Sequence, residues 1–247
     1  MKRKLLANKI ALVSCFDINW ISHVVTPLVE NGAHVTLITD VPRSSFSNQI
    51  DANLLKFITP IILDSHDLTQ LDKTLKELLS SHPKIDIQLN APIPVLNRNY
   101  LDTTSGDVIN LFQHYLGFIF AIIRATGEVM LANRSGRIIN IVSGLGRRGL
   151  PGTVAYSASQ AAILGLTRSL GLEWAPFNIN VNAIGIGWLA SEQNLTGDFA
   201  SITKFIPLRS IGHPDDIQGL LLYLLSPFST YITGSCINVD GGLISHA

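Results

Sequence analysis

Hydrophobic positions in this chain come in short β-branched runs, and the stretches between them repeat with a helical period. Runs at 9–14, 34–39, 55–63, 85–89, 136–142, 179–184 and 236–239 predict strands, and residues 18–30, 68–81, 106–132, 155–174 and 214–225 predict helices. The runs do not alternate strictly between apolar and polar residues. That is the mark of strands buried on both faces, as in a parallel sheet. Strand–helix alternation from end to end predicts right-handed βαβ units in a doubly wound α/β sheet of about seven parallel strands, with helices on both faces. No Pro/Gly/Ser-rich linker divides the chain and no segment repeats, so residues 1–247 are expected to form a single domain. Ligands of such sheets bind beyond the carboxyl ends of the strands, near the point where strand order reverses. The segments just after each strand are therefore where chemistry is expected.

Composition narrows the field. Hydrophobic residues make up 47% of the chain and charged residues 15%, which supports a sizeable core and not a disordered chain. The 18 basic residues balance 18 acidic ones with no basic stripe, so no nucleic-acid partner is expected. Cys15 and Cys236 lie too far apart in sequence to read as a disulfide framework or a metal site; a reduced, cytoplasmic protein with no metal is expected. The start, Met1-Lys2-Arg3-Lys4-Leu5-Leu6, has the basic head of a secretion signal, but Asn8 and Lys9 cut its apolar run short. A buried strand from Ile10 to Val13 is the better reading. The longest apolar run, 116–123, stops at Arg124 and is too short to span a bilayer, so no membrane is expected.

The most informative segment is Tyr156-Ser157-Ala158-Ser159-Gln160. Before it stands Gly136-Arg137-Ile138-Ile139-Asn140-Ile141-Val142-Ser143. After it come Leu166-Thr167-Arg168-Ser169-Leu170, Glu173-Trp174-Ala175-Pro176, Val181-Asn182-Ala183-Ile184, Gly212-His213-Pro214-Asp215-Asp216-Ile217 and Asp240-Gly241-Gly242. Through these pieces the chain from about Gly136 to Gly242 resembles the short-chain dehydrogenase/reductase family, close to its 3-oxoacyl reductase branch. The resemblance implies a Rossmann-like fold and NAD(H)- or NADP(H)-linked carbonyl/alcohol oxidoreduction. It also implies a catalytic serine, tyrosine and lysine, often with an asparagine. Ser143 and Tyr156, thirteen residues apart, match the serine and tyrosine.

Gln160 stands where the family has its lysine. A residue four positions after the tyrosine lies one helical turn away on the same face, where an ammonium lowers the phenol's pKa. A unit charge about 4 Å away at an effective dielectric of ~20 is worth roughly 4 kcal/mol. That is about three pKa units on a phenol that starts near 10. A neutral glutamine removes this effect. Alcohol oxidation, which needs the tyrosinate, suffers most; carbonyl reduction, which needs the protonated phenol, suffers less. The alternative is that Gln160 simply hydrogen-bonds within the pocket. Aligning on Gly117 puts His114 at the asparagine position, with Asn110 one turn earlier as the other candidate.

The cofactor segments depart further. The family's glycine-rich turn lets backbone amides approach the pyrophosphate at the helix N-terminus. Here it reads Ser14-Cys15-Phe16-Asp17-Ile18-Asn19-Trp20-Ile21-Ser22, with no glycine. Asp17 either sets a charge where phosphates lie or caps the helix. The segment after the fourth strand is Leu89-Asn90-Ala91-Pro92, where proline fixes φ and removes an amide. After the sixth strand stands Gly185-Ile186-Gly187, with the family's proline gone. By resemblance, Ser14, Asn90 and Ile186 are the cofactor contacts at three strand ends. Asp40 falls where an adenosine ribose binds and Asp64 where adenine is contacted. Aspartate is also common after strands as a turn former.

Small residues on the helix after Tyr156 (Ala158, Ala161, Ala162 and Gly165) permit close helix approach, and by resemblance a homo-oligomer, dimer or tetramer, is expected. Three functions stay open. The first is an NAD(P)(H)-linked reductase with weak or lost hydride transfer. The second is a non-catalytic family member acting as a structural or regulatory subunit, alone or with an active relative. The third is cofactor-independent, dehalogenase-like chemistry. A hydrolytic Ser143–His114–Tyr156 arrangement requires the histidine within reach of the serine. Arg147 and Arg148 either meet an anionic group or face water.

Overall fold

The computed structural model describes residues 4–63, 68–81, 84–91, 97–190 and 202–244. They carry one sheet of seven strands: β1 (Ile10–Ser14), β2 (His34–Thr39), β3 (Ile58–Ile62), β4 (Ile87–Asn90), β5 (Gly136–Ser143), β6 (Ile179–Ile186) and β7 (Cys236–Val239). The order is β3-β2-β1-β4-β5-β6-β7, and every neighbouring pair is parallel. The helices are α1 (Ile18–Glu30), one-turn α2 (Arg43–Phe46), α3 (Leu68–Ser81), α4 (Ser105–Phe112), α5 (Phe118–Asn133), one-turn α6 (Leu145–Arg148), α7 (Val154–Glu173) and α8 (Gln218–Leu225). This is the doubly wound α/β sheet that the hydrophobic pattern predicts.

Element edges differ for local reasons. Residues Leu55–Phe57 form a 3₁₀ turn before β3 instead of opening it. The predicted helix 106–132 is α4 and α5 joined by a π-turn at Gln113–Gly117. The predicted helix 214–225 begins as a 3₁₀ turn, Pro214–Ile217, entered through a His213–Asp216 capping box, before it becomes α8.

Successive residues of β1 point to opposite faces and build two cores. Ala11 and Val13 join Ile21, Val24, Val25 and Leu28 of α1 with Leu221 and Leu224 of α8. Leu12 joins Leu71 and Leu75 of α3, Phe118, Ile119 and Ile122 of α5 and Ile163 and Leu164 of α7 on the other side. Apolar burial at roughly 25 cal/mol per Å² on both faces explains why the strands read as continuous hydrophobic runs. The continuous helix Ser105–Asn133, 29 residues, is by length and composition long and apolar enough to cross a membrane. The buried residues of its α5 part pack on the sheet instead.

Between strands, polar side chains pair in series. The Ser14 hydroxyl donates to Asn90 Oδ1 (3.0 Å), Asn90 Nδ2 to Asn140 Oδ1 (2.7 Å), and Asn140 Nδ2 to Thr167 Oγ1 (2.9 Å). Gln88 adds a donor to Asn90 Oδ1 (3.3 Å) and accepts from Thr126. The chain links β1, β4 and β5 to α7.

Gly171 marks where α7 touches the loop before β7. A Cβ there would lie 2.5 Å from both Gly234 Cα and N, with Thr233 Oγ1 at 3.2 Å. Alanine gains up to about 1 kcal/mol in helix propensity, but overpacking against backbone costs roughly 1–3 kcal/mol. Gly171→Ala is expected to lower Tm by a few degrees, at roughly 2–4 °C per kcal/mol for a chain of this size. Gly219→Ala in α8, where a Cβ meets nothing within 4 Å, is expected to leave Tm unchanged or raise it. Differential scanning fluorimetry of both variants checks the pair.

Candidate functional site

Strand order reverses between β1 and β4, so the crevice lies beyond the carboxyl ends of β1, β4, β5 and β6. Ser143 ends β5, and Tyr156 and Gln160 sit in the first turns of α7, on the helix that packs beside that strand. The structure brings the three together. Gln160, 1% exposed, turns its carboxamide back onto the protein: Oε1 accepts the Ser143 N–H at 2.8 Å. With the oxygen so placed, Nε2 points away from that bond, and it is the one buried side-chain nitrogen or oxygen without a hydrogen-bond partner among the described residues. Gly146 lies against this turn, since a Cβ there would meet the Gln160 carbonyl carbon at 2.8 Å.

Ser143 Oγ accepts the Leu145 N–H at 3.2 Å and is hydrogen-bonded to the Tyr156 phenol. Tyr156 is 2% exposed, and burial pushes its phenol far above the ordinary value. The Ser143 hydrogen bond lowers it in part, and neighbouring Tyr115 raises it. Burial raises Tyr115 as well. Sequence reasoning passed over Tyr115; a tyrosine beside Gly117 carries no spacing signal that marks it. His114 lies in the π-turn, the helix irregularity that re-aims side chains at many functional sites. Its side chain lies outside the described residues.

At the other strand ends, Ser14 and Asn90 are buried and bonded to each other, and the Ser14 carbonyl accepts the Ala91 N–H at 2.9 Å. Ile186 ends β6, its carbonyl accepting the Gly144 N–H at 2.8 Å. Asp40 is exposed just past β2. Asp64 and Pro92 lie outside the described residues. Of the two arginines, Arg148 donates to the Leu243 carbonyl at 3.2 Å and so holds the C-terminal turn.

Only Cys15, Phe16 and Asp17 separate β1 from α1. None of the three adopts positive φ, the conformation that glycines supply in a phosphate-binding turn. Of the two roles open to Asp17, capping is the one found: its carboxylate accepts the Asn19 N–H and the Asn19 amide, both at 3.0 Å. Phe16 packs edge-on against Phe118 at 4.7 Å, closing the turn onto the α5 core. Cys15 is buried, its Sγ 3.4 Å from the Asp17 carbonyl, and burial raises its thiol far above the ordinary value.

A parallel sheet with this strand order and a crevice at its reversal point defines the doubly wound nucleotide-binding class. A family model described as enoyl-(acyl carrier protein) reductase matches residues 22–244. The chain belongs to the short-chain dehydrogenase/reductase family of oxidoreductases. It is 32% identical over 176 residues, 71% of each chain, to a 3-oxoacyl-(acyl carrier protein) reductase of Synechocystis sp.. With 2-dehydro-3-deoxy-D-gluconate 5-dehydrogenase of Escherichia coli (strain K12) it shares 28% over 246 residues, 97% of each chain. Among solved structures, an acetoin dehydrogenase from Enterobacter cloacae matches at TM-score 0.87 and 25% identity, covering 97% of both chains. A protein described as an NAD(P)-dependent gluconate 5-dehydrogenase from Beutenbergia cavernae, with NADP bound at low occupancy, matches at TM-score 0.86 and 26% identity, covering 97% of this chain and 98% of that one.

Gln160→Leu removes the acceptor of the Ser143 N–H. An unsatisfied donor in a largely buried setting costs roughly 1–3 kcal/mol, so Tm is expected to fall by several degrees at about 2–4 °C per kcal/mol. Gln160→Glu keeps an acceptor oxygen in either protonation state but buries a charge once its carboxyl ionises, so it is expected to lose less at low pH, where the carboxyl stays neutral, than at high pH; thermal melts between pH 5 and 9 read the difference.

Proposed function

We propose that this chain is a nominal NAD(P)(H)-linked carbonyl/alcohol oxidoreductase whose hydride transfer is weak or lost. The observation that carries the reading is Gln160: a neutral carboxamide engaged with the Ser143 N–H stands where the family has its ammonium. Without that charge, burial dominates at Tyr156 and keeps the phenol protonated through neutral pH. Oxidation of an alcohol then lacks its base, and reduction of a carbonyl has only a weak acid; general acid–base catalysis typically supplies about 10²–10⁴-fold.

The β1–α1 turn supports the same reading. A pyrophosphate seated in the family's ordinary pose needs free amides and left-handed backbone at the start of α1. This turn has no positive-φ residue, and its capping carboxylate already holds the Asn19 N–H. The residues present do not fit the group in that pose.

Titration with NADH and NADPH, followed by nicotinamide fluorescence, tests the proposal. No saturable binding below millimolar cofactor is expected, and no oxidation of either cofactor with a reactive ketone. Gln160→Lys alone is expected to leave turnover absent, because it restores the charge and not the turn. Micromolar binding with turnover in the unaltered chain overturns the reading.

One observation favours a second reading, a non-catalytic subunit in a homo-oligomer or beside an active relative. Large apolar side chains stand exposed on α4, α5 and α7: Ile109 (63%), Phe120 (54%) and Leu172 (77%). Ala158, Ala161 and Gly165 leave part of α7 exposed and smooth beside them. Light scattering after size exclusion is expected to give a dimer or tetramer, with Phe120→Asp and Leu172→Asp each shifting the chain toward monomer. A monomeric unaltered chain that retains no active relative on co-expression sinks it.

A further inference from the structure

We propose that His23, His213 and Asp215 form a binding site for a divalent transition-metal ion of the zinc class, pinning α1 to the turn that opens α8. One nitrogen or oxygen from each lies within 4.8 Å of the others. The residues are brought together from opposite ends of the chain, His23 and Asp215 being 192 positions apart. None of them takes part in the Ser143–Tyr156–Gln160 arrangement.

The donor atoms already stand close together. His213 Nδ1 accepts the Asp215 N–H at 3.2 Å, so its one lone pair faces that amide and the ring hydrogen is on Nε2; an ion bound at Nδ1 takes this lone pair from the long capping bond. The same Nδ1 stands 3.4 Å from Asp215 Oδ2. On the other side, His23 Nδ1 lies 2.6 Å from Asp215 Oδ1, close enough for the two atoms to share a proton. A metal ion entering here takes the place of the hydrogen between them, and His23 then offers Nδ1 as a neutral imidazole nitrogen with its ring hydrogen on Nε2. Two imidazole nitrogens and one carboxylate oxygen then bind the ion, with the remaining position held by water.

The surrounding contacts hold this geometry. His213 is locked at its backbone, where its N–H donates to Asp216 Oδ2 at 2.7 Å in the capping box and Pro214 follows. Gln218 Nε2 donates to Asp215 Oδ1 at 2.6 Å, orienting the carboxylate as outer contacts orient metal ligands. The His23 and His213 rings meet edge-to-face with centroids 5.3 Å apart, and Trp20 backs His23 at 6.5 Å. Side-chain exposures of 18% for His23 and 51% for Asp215 leave the ion an open path from solvent. The donor chemistry selects the ion. Imidazole with carboxylate suits Zn²⁺, Co²⁺ and Ni²⁺, whereas Mg²⁺ and Ca²⁺ prefer all-oxygen sites. Because α1 and the α8 turn come from distant parts of the chain, a bound ion stabilises the folded state over the unfolded one.

The test uses the full chain, free of any oligohistidine tag and stripped with chelator, titrated with Zn²⁺ by calorimetry and with Co²⁺ by visible absorption. About one ion per chain is expected, and a hundredfold excess of free Zn²⁺ over its Kd is expected to raise Tm by about 5 °C or more. His23→Gln, which keeps a hydrogen-bond donor toward Asp215 and removes the imidazole, is expected to weaken Zn²⁺ at least about tenfold, as is His213→Ala. Mg²⁺ is expected to produce neither the heat nor the shift. Failure of the unaltered chain to bind Zn²⁺ stoichiometrically overturns the proposal and leaves the three residues as a hydrogen-bonded strap. So does equal Zn²⁺ binding by the unaltered chain and the His23→Gln/His213→Ala double variant.

Discussion

A polar side chain enclosed between a sheet and its helices must find its partners there, and the middle of this fold is organised by that demand. Ser14, Asn90, Asn140 and Thr167 satisfy one another in series from β1 across β4 and β5 to α7. Neutral hydrogen bonds of this kind contribute only about 0.5–1.5 kcal/mol each, yet leaving one unmade costs more than making it gains. The series therefore fixes how α7 sits on β5. With α7 so placed, Tyr156 and Gln160 reach the end of the strand that carries Ser143.

The same demand is met only in part at the site, where Gln160 Nε2 has no partner among the described residues. Gln160 is buried, so its oxygen must accept a hydrogen bond, and the Ser143 N–H is the donor it finds. A lysine in that place would bring a charge and no acceptor. On the proposed reading, glutamine in place of lysine changes two things together: the electrostatics around the Tyr156 phenol and the bonding of the Ser143 N–H. Burial raises Tyr156, and no fixed cation opposes it in the hydrogen bonds described around it. On that reading the family's fold persists around a centre with different electrostatics.

Much of this was legible from the residues. Seven β-branched runs became seven parallel strands, since double-sided burial leaves an unmistakable apolar run. That Ser143 and Tyr156 meet was legible through the resemblance, whose serine and tyrosine have the same thirteen-residue spacing; one-turn α6 and its flanking turns carry the chain from one to the other. What stayed hidden depends on tertiary placement. Which way the Gln160 carboxamide turns is decided by the β5 backbone. That Asp17 caps α1, the milder of two readings, follows from a turn only three residues long. The π-turn at Gln113–Gly117 has no composition of its own. His213 and Asp215 stand in a segment that carries the family resemblance, but nothing in the sequence links that turn near one end of the chain to His23 on a helix near the other.

The short turn after β1 has a consequence best put in terms of local concentration. The positive end of α1 is a place where a free anion can bind, but here the competing anion is the Asp17 carboxylate, covalently held two residues from the amide it occupies. A tethered group acts at an effective concentration of order millimolar or higher without leaving its place. Any phosphate arriving at α1 therefore competes with a ligand that never diffuses away, and the helix carries its own occupant wherever the protein goes.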